Sequence, residues 1–272
     1  MTDTVWEPDD SYIDAANVTR FMRRQGIGNY GELVRRSQDD TEWFWDAVID
    51  DLDLRFDKPY RQILDMSEGP EWAKWFVGGR VNLVHNCVFR HAASSMRGRP
   101  ALAWEGEDGA TRLLSYADLA EEVARVAAGL EGLGLGLGDV VAVFMPMVPE
   151  AVVAAYACAC IGAIYLPVFS GFGAPAVAAR LADSGAKLLL TADAYRRKGV
   201  AVAMAQIASE AAAAAPAIRH TVVLRYAGEP GRSRGDGELA WDEAFPAAHG
   251  PVDARGLDPE TPFMIAYTSG TT

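Results

Sequence analysis

From Ser115 onward, segments with apolar residues at helical spacing alternate with short runs of β-branched and aliphatic residues, and no other feature narrows the possible folds as much. Consecutive strands can run parallel only if a crossover connection separates them. Strand and helix alternating in this way therefore specify a mostly parallel β-sheet with crossover helices, an α/β architecture.

The individual units follow from local chemistry. Ser115 stands at an N-cap position with Asp118 three residues on, an apolar stripe at Leu119, Val123, Val126 and Leu130 follows, and glycines between 132 and 138 stop the pattern. A helix of about four turns is predicted, because hydroxyl and carboxylate can each satisfy an N–H that the first turn leaves unpaired. After it come a strand at 140–144, a helix opening at Pro149, a strand at 164–168 and a helix over 175–182. Further strands are expected at 187–190 and 221–224, with the Ala-rich residues 200–215 as a crossover helix between them. Residues 228–237 read as a polar loop, 241–245 resume amphipathic structure, and 263–267 form a last strand.

Ahead of the sheet, residues 14–80 are rich in Trp, Asp and Arg. Short helical patterns such as Tyr30, Leu33, Val34 and Trp43, Phe44, Ala47, Val48 mark a helical N-terminal extension.

With 272 residues, half of them apolar, the chain can bury a large core. Its 25 Lys and Arg against 37 Asp and Glu give a net charge of −12, which argues against non-specific nucleic-acid or anionic-membrane binding. A phosphate-bearing ligand must then be met by local positive charge. Cys87, Cys158 and Cys160 are too few, and the last two too close, for a secreted disulfide framework, so a cytoplasmic protein is expected. The acidic first ten residues, with Trp6 and Pro8, lack the basic-then-apolar order of an export signal. Residues 151–179 carry no charge, yet Gly162, Pro167, Gly171, Gly173 and Pro175 would break a spanning helix and leave backbone groups unpaired in lipid. That stretch reads as a buried helix, a turn and a strand.

Two segments carry candidate chemistry. At the end of the sequence the strand 263–267 runs into Thr268, Ser269, Gly270, Thr271 and Thr272. Glycine lets backbone N–H groups approach phosphate oxygens and the hydroxyls can donate to the same atoms, so the run suits a polyphosphate, although an ordinary loop can have the same composition. It lacks the Gly-Lys-Ser/Thr ending of a P-loop, and no Gly-x-Gly-x-x-Gly follows the first strand of the sheet. The second segment is Arg196, Arg197, Lys198, Gly199 and Val200, three adjacent cations after the strand at 187–190. They suit a phosphate or form a solvated loop. His85, Cys87 and His91 lack a fourth ligand at a sensible spacing, so no metal site is expected, and Cys158 and Cys160 read as small core residues.

Tyr267, Thr268, Ser269, Gly270, Thr271, Thr272 resembles the opening of the signature loop of the adenylate-forming superfamily. The run from Gly138 through Glu150, with Ala157 to Ala163 and Phe169, Ser170, Gly171, Phe172, is similar to its acetyl-CoA synthetase branch. Thr191, Ala192, Asp193 and the basic residues after them match the same branch, as do Trp43, Phe44, Trp45 and the run Asn82 to Cys87 with Arg90 and His91.

The resemblance implies an acetyl-CoA-synthetase-type extension over 1–90 and an incomplete AMP-binding domain over 91–272. It further implies an AMP-forming acid:CoA ligase using ATP, Mg²⁺ and CoA on a small carboxylate, acetate by family default and propionate or acetoacetate as alternatives. Thr268 to Thr272 would take the ATP phosphates, and Arg196, Arg197, Lys198, Gly199 and Val200 would contact CoA, with Val200 departing from an arginine frequent there. The Gly, Pro, Lys, Gly continuation of the signature loop, the catalytic lysine and the mobile C-terminal domain have no counterpart in the sequence. The expectation is a chain cut off inside its phosphate loop, inactive alone, with an exposed sheet edge and poor solubility. A non-catalytic remnant or a subunit of a split ligase is the other reading.

Overall fold

The computed structural model of the protein describes residues 5–227, 235, 237–248, 250 and 252–268. Its contacts divide the chain into two compact units, Met1–Gly79 and Arg80–Thr272.

The described part of the first unit includes the short α-helices α1 (Asp10–Ala15), α2 (Asn17–Arg24), α3 (Tyr30–Asp39) and α4 (Thr41–Asp51). Asp9, Asn29 and Asp40 cap α1, α3 and α4 by accepting a backbone N–H of the first turn, which is why such short segments start where they do. Phe21, Ile27, Leu33 and Ala47 form a small core that Trp43, Phe44 and Val48 cover. An antiparallel pair, β1 (Gln62–Asp65) and β2 (Lys74–Val77), completes the unit and has no counterpart in the sequence reading.

The second unit opens with a π-helical turn, His85–Phe89, and the short helix α5 (Arg90–Ala92). The antiparallel pair β3 (Pro100–Glu105) and β4 (Thr111–Ser115) leads into α6 (Tyr116–Gly132). Ser115 Oγ accepts from Asp118 N while the Asp118 carboxylate accepts from Ser115 N, so the predicted capping box is present. The stripe Leu119, Val123, Val126 and Leu130 is buried.

Then follow β5 (Val140–Phe144), α7 (Pro149–Ile161), β6 (Ile164–Pro167), α8 (Ala174–Ser184) and β7 (Leu188–Ala192). A hairpin of β8 (Tyr195–Arg197) and β9 (Val200–Val202) precedes α9 (Met204–Ala213), β10 (His220–Leu224), β11 (Glu238–Ala240) and α10 (Trp241–Ala244). The uncharged stretch is thus a buried helix, the left-handed Gly162 and a strand, as expected. No described helix is long and apolar enough to cross a membrane.

Among the described residues the main sheet has five strands in the order β11-β10-β7-β5-β6, every neighbouring pair parallel. β5 and β7 are buried along their whole length because helices cover both faces. Val141, Val143, Leu188 and Leu190 pack toward α6, α7 and α10, whereas Ala142, Phe144, Leu189 and Ala192 pack toward α8 and α9. From β5 the chain moves one way to β6 through α7, then returns across β5 to β7 through α8 on the opposite face. The winding therefore reverses between β5 and β7.

Two expectations are corrected. The helix predicted over 200–215 begins only at Met204, because Val200–Val202 pairs with Tyr195–Arg197 instead. The strand predicted at 263–267 shrinks to one bridge, Tyr165 with Met264, held by Tyr165 N to Phe263 O (2.8 Å) and Ile265 N to Tyr165 O (3.1 Å). The next bond of that ladder would need an N–H from residue 167, which is proline.

Candidate functional site

In sheets wound in both directions, the loops at the carboxyl ends of the strands part at the reversal and leave a crevice. Here that crevice is a cleft of about 380 Å³. Pro146 and Met147 enter it from the end of β5, Phe169 and Ser170 from β6, Tyr195, Arg196 and Arg197 from β7, and Tyr226 from β10. The β3–β4 hairpin closes the remaining side with Trp104, Glu105 and Glu107.

Hydrogen bonds hold the walls. Trp104 Nε1 donates to the Met147 carbonyl at 2.6 Å, and its ring meets Tyr226 edge to face at 6.3 Å. Asp193, the first residue after β7, accepts through one carboxylate oxygen from Ala194 N (2.7 Å), Tyr226 N (2.9 Å) and Ala227 N (3.0 Å). A single side chain thus ties the exit of β7 to that of β10 and sets where the following hairpin starts. Arg112 of β4 reaches Glu150 in the first turn of α7 at 2.6 Å, where a carboxylate also suits the helix dipole. Burial raises the Tyr226 hydroxyl above its usual range, the nearby Asp108 adds to this, and Arg196 opposes it.

Tyr195 is buried against the α8–α9 core and Val202, its register partner, packs there too, so the hairpin is anchored at its base. Lys198 and Gly199 form the two-residue turn, with φ of 52° and 78°. Positive φ at both positions matches the right-handed twist of a tight hairpin, and it explains glycine at the second position. Of the five residues expected to contact CoA, Arg196 and Arg197 line the cleft. Lys198 and Gly199 occupy the exposed turn, and Val200 is 65% exposed on the returning strand.

Of the expected phosphate loop, Thr268 is described and exposed, while Ser269, Gly270, Thr271 and Thr272 lie outside the described residues. The approach to Thr268 is firmly held. The Tyr267 hydroxyl donates to the Asp183 carboxylate of α8, and desolvation together with that bond pushes its pKa up to about 12. Arg180 lies over the rings of Phe172 (4.2 Å) and Tyr267 (5.3 Å), and Phe172 meets Phe169 at 5.4 Å. A chain of cation–ring and edge-to-face ring contacts therefore joins the segment before Thr268 to the cleft wall.

Cys158 and Cys160 are buried, and burial pushes both thiols up to about 12, so neither is a nucleophile. Among the described residues no group of His, Cys, Asp and Glu is arranged to hold a metal ion.

Sequence reasoning missed Trp104, Glu107 and Tyr226. The rule that ligands gather beyond the carboxyl ends of parallel strands would have pointed to Tyr226, just past Leu224. Nothing local points to Trp104 or Glu107, whose hairpin lies outside the parallel sheet.

Residues 89–272 match the family described as AMP-binding enzyme, and residues 30–87 match acetyl-coenzyme A synthetase N-terminus. Acetyl-coenzyme A synthetase of Mycobacterium bovis is 42% identical over 276 residues, covering 100% of this chain and 41% of the relative. The enzyme of that name from Mycolicibacterium smegmatis is 40% identical over 243 residues, covering 89% of this chain and 26% of the relative. The solved acetoacetyl-CoA synthetase from Streptomyces lividans superposes with a TM-score of 0.89 at 30% identity, covering 98% of this chain and 41% of that one. The chain thus spans well under half the length of these relatives, and its sheet and helices match part of the adenylate-forming fold.

Proposed function

The chain belongs to the AMP-binding enzyme family, and from that premise we propose that the whole protein is an AMP-forming acid:CoA ligase acting on a short-chain carboxylate, with acetate the first choice. The observation that carries this reading is the cleft at the reversal of the sheet, with Arg196 and Arg197 on its wall in a chain otherwise strongly acidic.

In this reading the carboxylate attacks the ATP α-phosphorus and pyrophosphate leaves, after which the CoA thiol attacks the acyl carbon and AMP leaves. Mg²⁺, entering on the ATP phosphates, would supply charge neutralisation in the first step. Thr268 and Ser269 to Thr272 would cradle those phosphates, with Tyr267, Asp183 and Arg180 fixing where the loop begins. Arg196, Arg197, Lys198, Gly199 and Val200 would contact CoA, the two arginines most directly. Residues 1–90 would be the acetyl-CoA-synthetase-type extension and 91–272 part of the AMP-binding domain. The cytoplasm would keep the free thiols reduced.

The likeness to an acetoacetyl-CoA synthetase favours acetoacetate as a second substrate candidate. Catalysis is assigned to the whole protein, and the 272-residue chain alone is expected to bind ligands without turnover. The test is AMP formation by the full-length gene product with ATP, CoA and a panel of acetate, propionate and acetoacetate. Acid-dependent AMP release supports the ligase and ranks the acids, whereas none with any acid contradicts it. Carboxylate-dependent pyrophosphate release from the 272-residue chain would overturn the expectation that it is inactive alone.

A further inference from the structure

The basic hairpin does not stand in open solvent. Glu105 and Glu107 share the cleft with Arg196 and Arg197, and Glu107, Asp108 and Arg196 all act on the Tyr226 hydroxyl. The cations that the sequence presents as a bare anion site therefore share their cleft with carboxylates from another hairpin. A hydrogen bond joins the two tips: Glu107 Oε1 accepts the backbone N–H of Gly199 at 2.9 Å. In a turn with both central φ values positive, the central amides lie outside the strand ladder and are free to meet an anion. Glu107 occupies one of them.

We propose that Glu107 is a built-in competitor for the anion that this hairpin binds. Its carboxylate holds the Gly199 N–H and offsets the neighbouring cations until a ligand phosphate takes its place. The inference rests on the reading of Arg196 to Val200 as the CoA contact, and it makes Glu107 a residue that sets the affinity of that contact. A phosphomonoester offers up to two negative charges and three acceptor oxygens, so it can displace a carboxylate where a weaker anion cannot.

The test is calorimetric titration of the 272-residue chain at low salt with CoA and with dephospho-CoA, which lacks the phosphomonoester. Wild type is compared with Glu107→Gln, Glu107→Ala and Arg197→Ala, each checked for an unchanged melting temperature. Glu107→Gln keeps the shape and removes the charge, and Glu107→Ala removes the acceptor as well. Both should bind CoA roughly two- to fivefold tighter, the size of an exposed charge interaction. The gain should be confined to CoA and should shrink as salt is added. Equal gains for both ligands, or no gain, would overturn the competitor role. If wild type binds CoA and Arg197→Ala binds it more weakly, that result leaves the CoA reading standing. Absence of CoA binding to wild type would remove the reading and the proposal together.

Discussion

In β5 and β7 every residue is buried, whereas in the hairpin that starts three residues after β7 the run Arg196 to Val200 is exposed throughout. The two regions are neighbours in sequence and obey different constraints. The strands are fixed by which face each side chain must hide, so one substitution disturbs a core shared with α6 to α9. The hairpin is anchored in the core at its base, by Tyr195 and Val202, and its exposed tip can carry charge. Stability and ligand recognition should therefore separate under mutation.

The largest effect is expected inside the sheet. Leu190 is 0% exposed in the middle of β7, and Leu190→Ala should lower stability by about 2–5 kcal/mol, read from the shift in urea midpoint. A loss below about 1 kcal/mol would break the contrast at once. Next is Gly129 on α6, where a Cβ would press on the Phe245 ring and sit 2.5 Å from the Ala244 carbonyl oxygen. Gly129→Ala should cost about 1–3 kcal/mol through overpacking, despite the gain in helix propensity, as calorimetric melting would show.

A smaller effect concerns Asp139, which pairs with Lys187 where β5 and β7 begin. The hydrogen bond from Lys187 holds the Asp139 carboxyl below its usual range, with burial opposing the shift. A depressed carboxylate stabilises the fold above its unfolded pKa and loses that contribution as pH falls through the folded value. Asp139→Asn should therefore lower stability at neutral pH and flatten the decline of stability on acidification. Parallel acid titrations of the two proteins would argue against the pair having a role.

The same contrast explains what could be read from the sequence. Capping at Ser115, the stripe on α6, the strand β5 and the helix start at Pro149 were legible because each follows from local periodicity or a cap. The β8–β9 pair was not, since Val200–Val202 reads as the start of an Ala-rich helix unless its pairing with Tyr195–Arg197 is known. The last strand failed on a long-range detail, the missing N–H of Pro167 in the neighbour it would pair with. In the cleft, the cations were legible as a run, while Trp104, Glu107 and Tyr226 come from elements far apart in the chain. Glu107 changes the meaning of that run, because its carboxylate accepts the Gly199 N–H at the tip of the hairpin that carries those charges.

The most direct test of the central claim, that the hairpin beside β7 recognises CoA, is to titrate CoA onto the 272-residue chain and onto its Arg196→Ala, Arg197→Ala double variant. Both arginines are exposed, so the melting temperature should move by no more than about 0.5 kcal/mol of stability implies. CoA affinity should fall about tenfold or more, the loss expected when charge-assisted bonds to phosphate are removed. Equal CoA affinity in the two proteins, with both folded, would contradict the account.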